Sequence, residues 1–236
     1  MDYLQIFLLP SIAIAVIGYL LGSVSSSIIV TKKFSNTDIR TVGSGNAGMT
    51  NVLRSVGAKA AIYTSIFDIA KCVVASLIGR QVFQYICNAN SAPSYLIQYG
   101  ILIAGFACVL GHIYPLYFGF RGGKGILSTG AMMLVLDWRI FAFAVFIFVV
   151  TLLATKIISI SSIFAAVSFP ISAFLTTYYD YSTKSSAFGT LPTSYMIVVT
   201  VFAFVFAALL VYKHKDNIIR LKNGTEKKVS VRHKDS

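Results

Sequence analysis

A polar, glycine-rich stretch, DIRTVGSGNAGMTNVLR (residues 38–54), separates two hydrophobic runs and carries groups that suit phosphate binding. Glycines lack a Cβ atom, so backbone N–H groups beside Gly43 and Gly45 can approach an anion closely. Ser44 lies between them and offers a hydroxyl, and the guanidinium of Arg54 can hold a phosphate through two hydrogen bonds. This first polar cluster, residues 38–54, therefore predicts an anion site.

Other chemistries fit the first polar cluster less well. Its formal GxGxxG pattern, with Asp68 about twenty residues further on, is typical of dinucleotide binding but needs a strand and a βαβ unit around it. A nucleophilic serine in a GxSxG turn is disfavoured by the spacing and by the same lack of a strand. One alternative stays open: Asn46 or Thr50 caps a helix at residues 47–56, and Arg54 only reaches lipid headgroups.

The second polar cluster, GHIYPLYFGFRGGKG (residues 111–125), places an ammonium group among glycines just before a hydrophobic segment. It lacks the P-loop pattern GxxxxGK[ST]. The glycine loop, residues 122–125, still favours a phosphate over a simple hinge, because Lys124, nearby N–H groups and a helix dipole all attract anions. His112 is as consistent with packing as with function.

The third polar cluster, KHKDNIIRLKNGTE (residues 213–226), contains a possible general base. His214 and Asn217 are spaced i, i+3, so they share a face if the preceding helix continues through them. An unperturbed imidazole titrates near 6.5 and can accept a proton, although an interfacial histidine with a purely structural hydrogen bond is equally consistent. Glu226 is expected to be a salt-bridge partner that fixes the tail.

The elements that position these clusters are hydrophobic. Of 236 residues, 56% are hydrophobic and 12% charged, which indicates an integral membrane protein. A helix needs about 20 residues to cross a bilayer core of ~30 Å. We predict an all-α fold in one membrane domain, residues 1–222, with a basic tail at 223–236. Its seven predicted segments are residues 4–30, 60–83, 95–110, 125–136, 140–154, 159–178 and 195–212.

The distribution of basic residues predicts the topology. Lysine and arginine concentrate after the first segment and after the seventh, and both regions should therefore be cytoplasmic. Two cytoplasmic points require an even number of crossings between them, so the short fourth segment must cross fully. The N-terminus then lies outside and the C-terminus in the cytoplasm. All three clusters and the serine-rich ISISSI (residues 158–163) fall on the cytoplasmic side.

Charge and cysteine usage exclude several classes of protein. The net charge of +12 is carried beside hydrophobic segments without aromatic interleaving, which favours anionic lipids or small phosphates over nucleic acid. The three cysteines have neither metal-ligand spacing nor a disulfide pattern. Asp68 and Lys71, spaced i, i+3 in an apolar segment, predict an internal ion pair.

Together, the three clusters resemble the three cytoplasmic motifs of the bacterial PlsY family of acyl-phosphate:glycerol-3-phosphate acyltransferases, in the same order and along nearly the whole chain. The resemblance implies a seven-helix enzyme of the bacterial inner membrane with a cytoplasmic active site. It implies transfer of a fatty acyl group from acyl phosphate to the sn-1 hydroxyl of glycerol 3-phosphate. The products are lysophosphatidic acid and inorganic phosphate, in the first step of phospholipid biosynthesis. No metal, coenzyme A or other cofactor is implied.

Site residues follow from the resemblance by position. The catalytic residues are expected to be Ser44, Arg54, His214 and Asn217. Substrate binding is expected at Gly122, Gly123, Lys124 and Gly125, at Ser161 or Ser162, and at Gly43, Gly45, Asn46, Asn51, His112 and Arg121. Glu226 is expected to be structural. Arg121 stands where lysine is common in the family, which affects only fine geometry.

The alternative class is a membrane transporter for a small anionic metabolite. Such a protein also needs basic residues and glycine-broken helices, but its site should lie near the bilayer midplane between inverted repeats. Here the polar clusters gather at one face and no repeat is evident. The proton acceptor of an acyl transfer stays open between His214 and a substrate phosphate oxygen, and the sequence leaves the oligomeric state open too.

Overall fold

The computed structural model describes residues 3–228, and every regular element in that part of the chain is helical. The α-helices are α1 (Tyr3–Gly22), α2 (Ser26–Ser35), α3 (Met49–Ser55), α4 (Ala58–Asn90), α5 (Ile97–Ile113), α6 (Ile126–Leu136), α7 (Trp138–Thr155), α8 (Ile158–Thr183), α9 (Thr193–Lys213) and α10 (Lys215–Lys222). Short 3₁₀ turns lie at Ile39–Thr41, Ser94–Leu96 and Leu116–Phe118. The all-α prediction is confirmed. Residues 229–236 of the predicted tail lie outside the described chain.

Within residues 3–228, six helical segments are long and apolar enough to cross a membrane. They are Tyr3–Ser35, Ala58–Asn90, Ser94–Phe118, Trp138–Thr155, Ile158–Thr183 and Thr193–Lys213. Helix α6 has 11 residues, or ~17 Å at about 1.5 Å per residue, which is short for a ~30 Å hydrocarbon core. The seventh crossing therefore stays a prediction, as does the single domain over residues 1–222.

The first hydrophobic segment is broken, although the sequence predicted one helix over residues 4–30. Helix α1 ends at Gly22 and α2 begins at Ser26, with Ser25 in an extended conformation (φ −83°, ψ 96°). The ammonium of Lys71 on α4 donates to the carbonyl oxygens of Gly22 at 3.1 Å and Val24 at 2.9 Å. A side chain from another helix thus satisfies carbonyls that a continuous helix would have bonded internally.

The described chain packs as two compact units. The first comprises residues 3–138 and 184–191 and is built around α5, which packs against α1, α4 and α6. Small residues let these helices approach closely: a Cβ atom at Gly79 of α4 would overlap the backbone of Gly100 on α5, and one at Gly18 of α1 would overlap the carbonyl of Ala104. Close backbone approach through glycine is the usual basis of helix packing in membranes.

The second unit comprises residues 139–183 and 192–228. Helices α8 and α9 pack together, with the rings of Phe169 and Phe206 in an edge-to-face contact at 5.9 Å. Arg139 on α7 holds the carboxylate of Asp180 on α8 through two hydrogen bonds of 2.8 and 2.6 Å. This bidentate pair joins the start of α7 to the far end of α8.

Candidate active site

Ser44 is exposed at the tip of a tight turn in the first unit. The residues on either side, Gly43 and Gly45, have φ values of 61° and 70°, a left-handed conformation that side chains other than glycine rarely adopt. The N–H of Gly45 donates to the carbonyl of Val42 at 3.1 Å and closes the turn. The two glycines therefore present the Ser44 hydroxyl to the outside of the turn.

Asn51 on α3 organises the backbone of this turn. Its Nδ2 atom donates to the carbonyl oxygens of Ile39, Val42 and Asn46 at 3.1, 3.0 and 3.1 Å. Its Oδ1 atom accepts the N–H of Ser44 at 2.9 Å. Asn51 is only 3% exposed, and the hydrogen bonds described for its side chain are to the backbone of the turn. Substrate binding by Asn51 stays a prediction.

Arg54 lies in the last turn of α3, with its side chain exposed. The helix runs from Met49 to Ser55 rather than over the predicted residues 47–56, and its N-cap is Gly48, which makes no side-chain capping bond. Neither Asn46 nor Thr50 caps it, contrary to the alternative that the sequence left open.

The glycine loop folds back along the end of α5. The N–H of Gly122 donates to the carbonyl of Ile113 at 3.2 Å, and the N–H of Gly123 donates to the carbonyl of His112 at 3.1 Å. Gly125, with φ 85°, is the N-cap residue of α6. Lys124 thus lies between the loop residues bonded to α5 and the start of α6. Its positive charge and the N-terminal end of the helix dipole would both attract an anion. Arg121, just before the loop, is exposed.

The structure brings the first and second polar clusters together in the first unit. Arg40 donates through Nη1 to the carbonyl oxygen of Phe118 at 2.7 Å, and its Nη2 lies 2.7 Å from Oδ2 of Asp38. Hydrogen bonds from Arg40 hold the pKa of the Asp38 carboxyl below its usual value. Arg40 and Asp38 were not among the predicted site residues, because the bond from Arg40 to Phe118 spans 78 residues and no local sequence pattern indicates it.

The third cluster, in the second unit, is organised by Glu226. Its Oε1 accepts from Nδ2 of Asn217 at 2.8 Å and from the hydroxyl of Ser159 at 3.0 Å, and its Oε2 accepts from Nε of Arg220 at 2.7 Å. Burial alone would raise the pKa of Glu226, but the bonds from Arg220, Asn217 and Ser159 outweigh it and lower the pKa. The residue expected to form a salt bridge does so, with Arg220.

His214 occupies a break between two helices. The sequence predicted a helix continuing through this position, but α9 ends at Lys213 and α10 begins at Lys215, with His214 at φ −96° and ψ 8°. Its Nδ1 lies 2.7 Å from the carbonyl oxygen of Leu210. Because a carbonyl only accepts, Nδ1 carries a proton in this contact. A neutral imidazole with its proton on Nδ1 can accept a proton at Nε2.

The serine-rich start of α8 lies in the same unit as the third cluster. Ser161 donates to the carbonyl of Ile157, the residue before α8, at 3.0 Å, and both Ser161 and Ser162 are buried. Ser159 is the serine that reaches Glu226. Substrate contact by Ser161 or Ser162 stays a prediction. The spacing of the serines does not indicate which of them bonds to Glu226, because Glu226 lies 67 residues further along the chain.

Comparison with known proteins finds relatives along nearly the whole chain. The family model for glycerol-3-phosphate acyltransferase matches residues 12–224. A glycerol-3-phosphate acyltransferase of Mycoplasmopsis synoviae (strain 53) is 37% identical over 235 residues, covering 96% of this chain and 98% of that protein. One from Coxiella burnetii (strain CbuG_Q212) is 36% identical over 218 residues, covering 92% of this chain and 96% of that protein.

Two solved structures share the architecture. The crystal structure of PlsY, an integral membrane glycerol 3-phosphate acyltransferase, in its glycerol 3-phosphate form superposes with a TM-score of 0.74 and 28% identity, covering 94% of this chain and 96% of that one. The lysophosphatidic acid form gives a TM-score of 0.71 with 26% identity over the same shares. Because the family model, the relatives and the helical architecture agree along nearly the whole chain, this multi-pass integral membrane protein belongs to the PlsY family of glycerol-3-phosphate acyltransferases.

Proposed function

We propose that this protein transfers a fatty acyl group from an acyl phosphate to the sn-1 hydroxyl of glycerol 3-phosphate, releasing lysophosphatidic acid and inorganic phosphate. The observation that carries the proposal is the joining of two clusters in one unit: Ser44, exposed between two left-handed glycines, and the docked glycine loop with Lys124. The two solved relatives, described as glycerol 3-phosphate and lysophosphatidic acid forms, support this acceptor and this product.

The reaction needs charge neutralisation more than strong base catalysis. The bond between the acyl carbon and a phosphate oxygen breaks, the ester bond to the sn-1 oxygen forms, and phosphate leaves with the electron pair. Both substrates carry phosphate, so the side chains of Arg54 and Lys124 hold them and offset their charge. The N–H groups of Gly122 and Gly123 instead fix the loop, since they donate to the carbonyls of Ile113 and His112. Ser44 donates its hydroxyl to a substrate oxygen.

The proton of the attacking hydroxyl has two possible acceptors. One is Nε2 of His214, because Nδ1 of the same ring is directed at the carbonyl oxygen of Leu210. The other is a phosphate oxygen of the substrate itself, which suffices because acyl phosphate is already activated. Asn217, oriented by Glu226, is the catalytic partner of His214 in this proposal, and Glu226 keeps a structural role.

The membrane arrangement is also part of the proposal. We infer seven crossings of the bacterial inner membrane, with the N-terminus outside and the active site on the cytoplasmic side, where the acyl chain can enter from the inner leaflet. The basic residues after the first and seventh segments support this orientation. The product then enters phospholipid biosynthesis without crossing the membrane.

The test uses purified protein in lipid with labelled glycerol 3-phosphate and either palmitoyl phosphate or palmitoyl-coenzyme A. We expect labelled lysophosphatidic acid from palmitoyl phosphate only. Product from the coenzyme A thioester at an equal rate would overturn the proposed donor. Uptake of glycerol 3-phosphate into liposomes without acylation would instead favour the alternative class, a membrane transporter for a small anionic metabolite.

A further inference from the structure

A buried polar cluster lies beneath the glycine loop, at the centre of the first unit. Asp68 and Lys71 on α4 form the ion pair that their spacing predicted, with Nζ 2.9 Å from Oδ1. His112 on α5 joins them: its Nδ1 lies 3.2 Å from Lys71 Nζ and 3.3 Å from Asp68 Oδ1. The exposed fractions of the three side chains are 2%, 9% and 8%. Charged groups buried in a membrane helix are costly unless they are paired. The presence of this cluster therefore calls for a structural or functional explanation.

The pair is anchored on the helix break described above. Lys71 donates to the carbonyls of Gly22 and Val24, where α1 ends, and Asp68 accepts the hydroxyl of Ser26, the first residue of α2, at 2.5 Å. The cation thus faces the carbonyl end of one helix and the anion the amide end of the next, which is the favourable orientation for both helix dipoles. These contacts hold the two charges rigidly in place.

This anchored pair fixes the orientation of the His112 ring. With Nδ1 directed at Asp68 and Lys71, the opposite edge of the ring, carrying Nε2, faces the glycine loop. A Cβ atom added at Gly123 would overlap His112 Nε2 on one side and the carbonyl oxygen of Ala47 on the other. Gly123 is therefore seated between the ring of His112 and the backbone of the first polar cluster.

The backbone of His112 holds the same loop. Its carbonyl accepts the N–H of Gly123 at 3.1 Å, and the next carbonyl, that of Ile113, accepts the N–H of Gly122 at 3.2 Å. One residue thus fixes the loop through both its ring and its main chain, immediately before Lys124. The sequence prediction gave His112 a role in substrate binding, but its buried ring contacts the ion pair and the loop.

We propose that His112 is a positioning residue for the glycine loop, held in register by the buried Asp68–Lys71 pair. The inference rests on the proposed binding of glycerol 3-phosphate by that loop. The pair then has a functional role: the position of Lys124, and hence the affinity for glycerol 3-phosphate, depends on the buried charges of Asp68 and Lys71. We expect transfer of the acyl group to depend on this cluster less, because its groups are buried beneath the loop.

The test measures affinity directly. We expect His112→Ala to raise the dissociation constant for glycerol 3-phosphate at least about tenfold, which corresponds to ~1.4 kcal/mol of binding free energy. Calorimetry without acyl donor measures this constant. In kinetics, the KM for glycerol 3-phosphate should rise similarly, with kcat within about threefold and the KM for palmitoyl phosphate unchanged. Ser76→Ala is the matched control, because Ser76 is buried on the same helix as the pair and its hydroxyl has no hydrogen-bond partner among residues 3–228.

A double-mutant cycle separates positioning from general damage. Gly123→Ala should weaken binding in the wild-type background but cost at least about threefold less in the His112→Ala background, because one of its two clashes is gone. Additive effects, or unchanged affinity in a folded His112→Ala protein, would overturn the proposal. Where His112→Ala does not fold, His112→Asn gives the same comparison with less loss of volume. Failure of the wild-type protein to bind glycerol 3-phosphate would instead count against the proposed function.

Discussion

The side-chain oxygen of Asn51 accepts the backbone N–H of Ser44 at 2.9 Å, across seven residues of chain. The same side chain donates to three carbonyl oxygens of the turn, so one amide fixes both the position and the orientation of the serine. Polar groups in such a buried network are costly to leave unpaired, at about 1–3 kcal/mol each.

Replacing Asn51 by Asp should therefore abolish most activity while keeping the size of the side chain. The carboxylate would place an acceptor against carbonyls of Ile39, Val42 and Asn46 that now receive N–H groups. We expect kcat/KM to fall about 100-fold or more, from two or more lost bonds at ~1–3 kcal/mol each. Ser55→Ala is the control, since it removes only a 3.4 Å contact to Asn51. Equal activity of the two variants would refute this role.

His214 and Lys124 should affect different kinetic constants. His214→Ala is expected to lower kcat, by about 100-fold if Nε2 accepts the proton, with a modest change in the KM for glycerol 3-phosphate. Lys124→Ala should mainly raise that KM, about 10- to 100-fold for the loss of a charge-assisted contact worth ~1.5–3 kcal/mol. Steady-state kinetics with each substrate varied in turn checks both. The reverse pattern would exchange the two assignments.

Glu226 should make the stability of the protein dependent on acid pH. Its folded-state pKa is lowered, so its stabilisation is complete above the ordinary glutamate pKa of about 4.3 and is lost as the pH falls through the folded value. The difference in Tm between wild type and Glu226→Gln should be largest near pH 7 and shrink on acidification. Asp216→Asn, which changes an exposed carboxylate on α10, the helix that carries Asn217 and Arg220, is the control. A difference that does not change with pH would contradict the network.

Cysteine labelling tests whether α6 crosses the membrane. The native cysteines Cys72, Cys87 and Cys108 are buried, so introduced cysteines can be read separately. In intact cells, a membrane-impermeant maleimide should label Ser186→Cys, between α8 and α9, but label Lys222→Cys only after permeabilisation. If α6 does not cross, the number of crossings before both positions falls by one, and the pattern reverses.

The local composition of the sequence predicted the helices and the polar clusters. It did not predict which residues distant in sequence contact each other. Hydrophobic length predicted the membrane helices, and the i, i+3 spacing of Asp68 and Lys71 predicted their pairing. The break after Gly22 was missed because its carbonyls are satisfied by Lys71, 49 residues away. Hydropathy alone cannot distinguish a continuous helix from one whose broken bonds are supplied by another segment.

The candidate site shows the same division. Glycine spacing and charge predicted Ser44, Arg54 and the glycine loop as a set, and the first unit does join the first two clusters. The serine of α8 that reaches Glu226, and the burial of His112 on an ion pair, depend on which residues the fold brings together. Pairings of this kind carry no periodic signal, so a single sequence does not report them.

We propose acyl phosphate as the donor and glycerol 3-phosphate as the acceptor in a single transfer. The most direct measurement is the ratio of lysophosphatidic acid formed to inorganic phosphate released, in initial rates with palmitoyl phosphate and the purified protein in lipid. A single transfer predicts one phosphate for each lysophosphatidic acid, little phosphate when glycerol 3-phosphate is omitted, and loss of both products in Ser44→Ala. Release of phosphate at the same rate without glycerol 3-phosphate, or no lysophosphatidic acid from a folded wild-type protein, would contradict it.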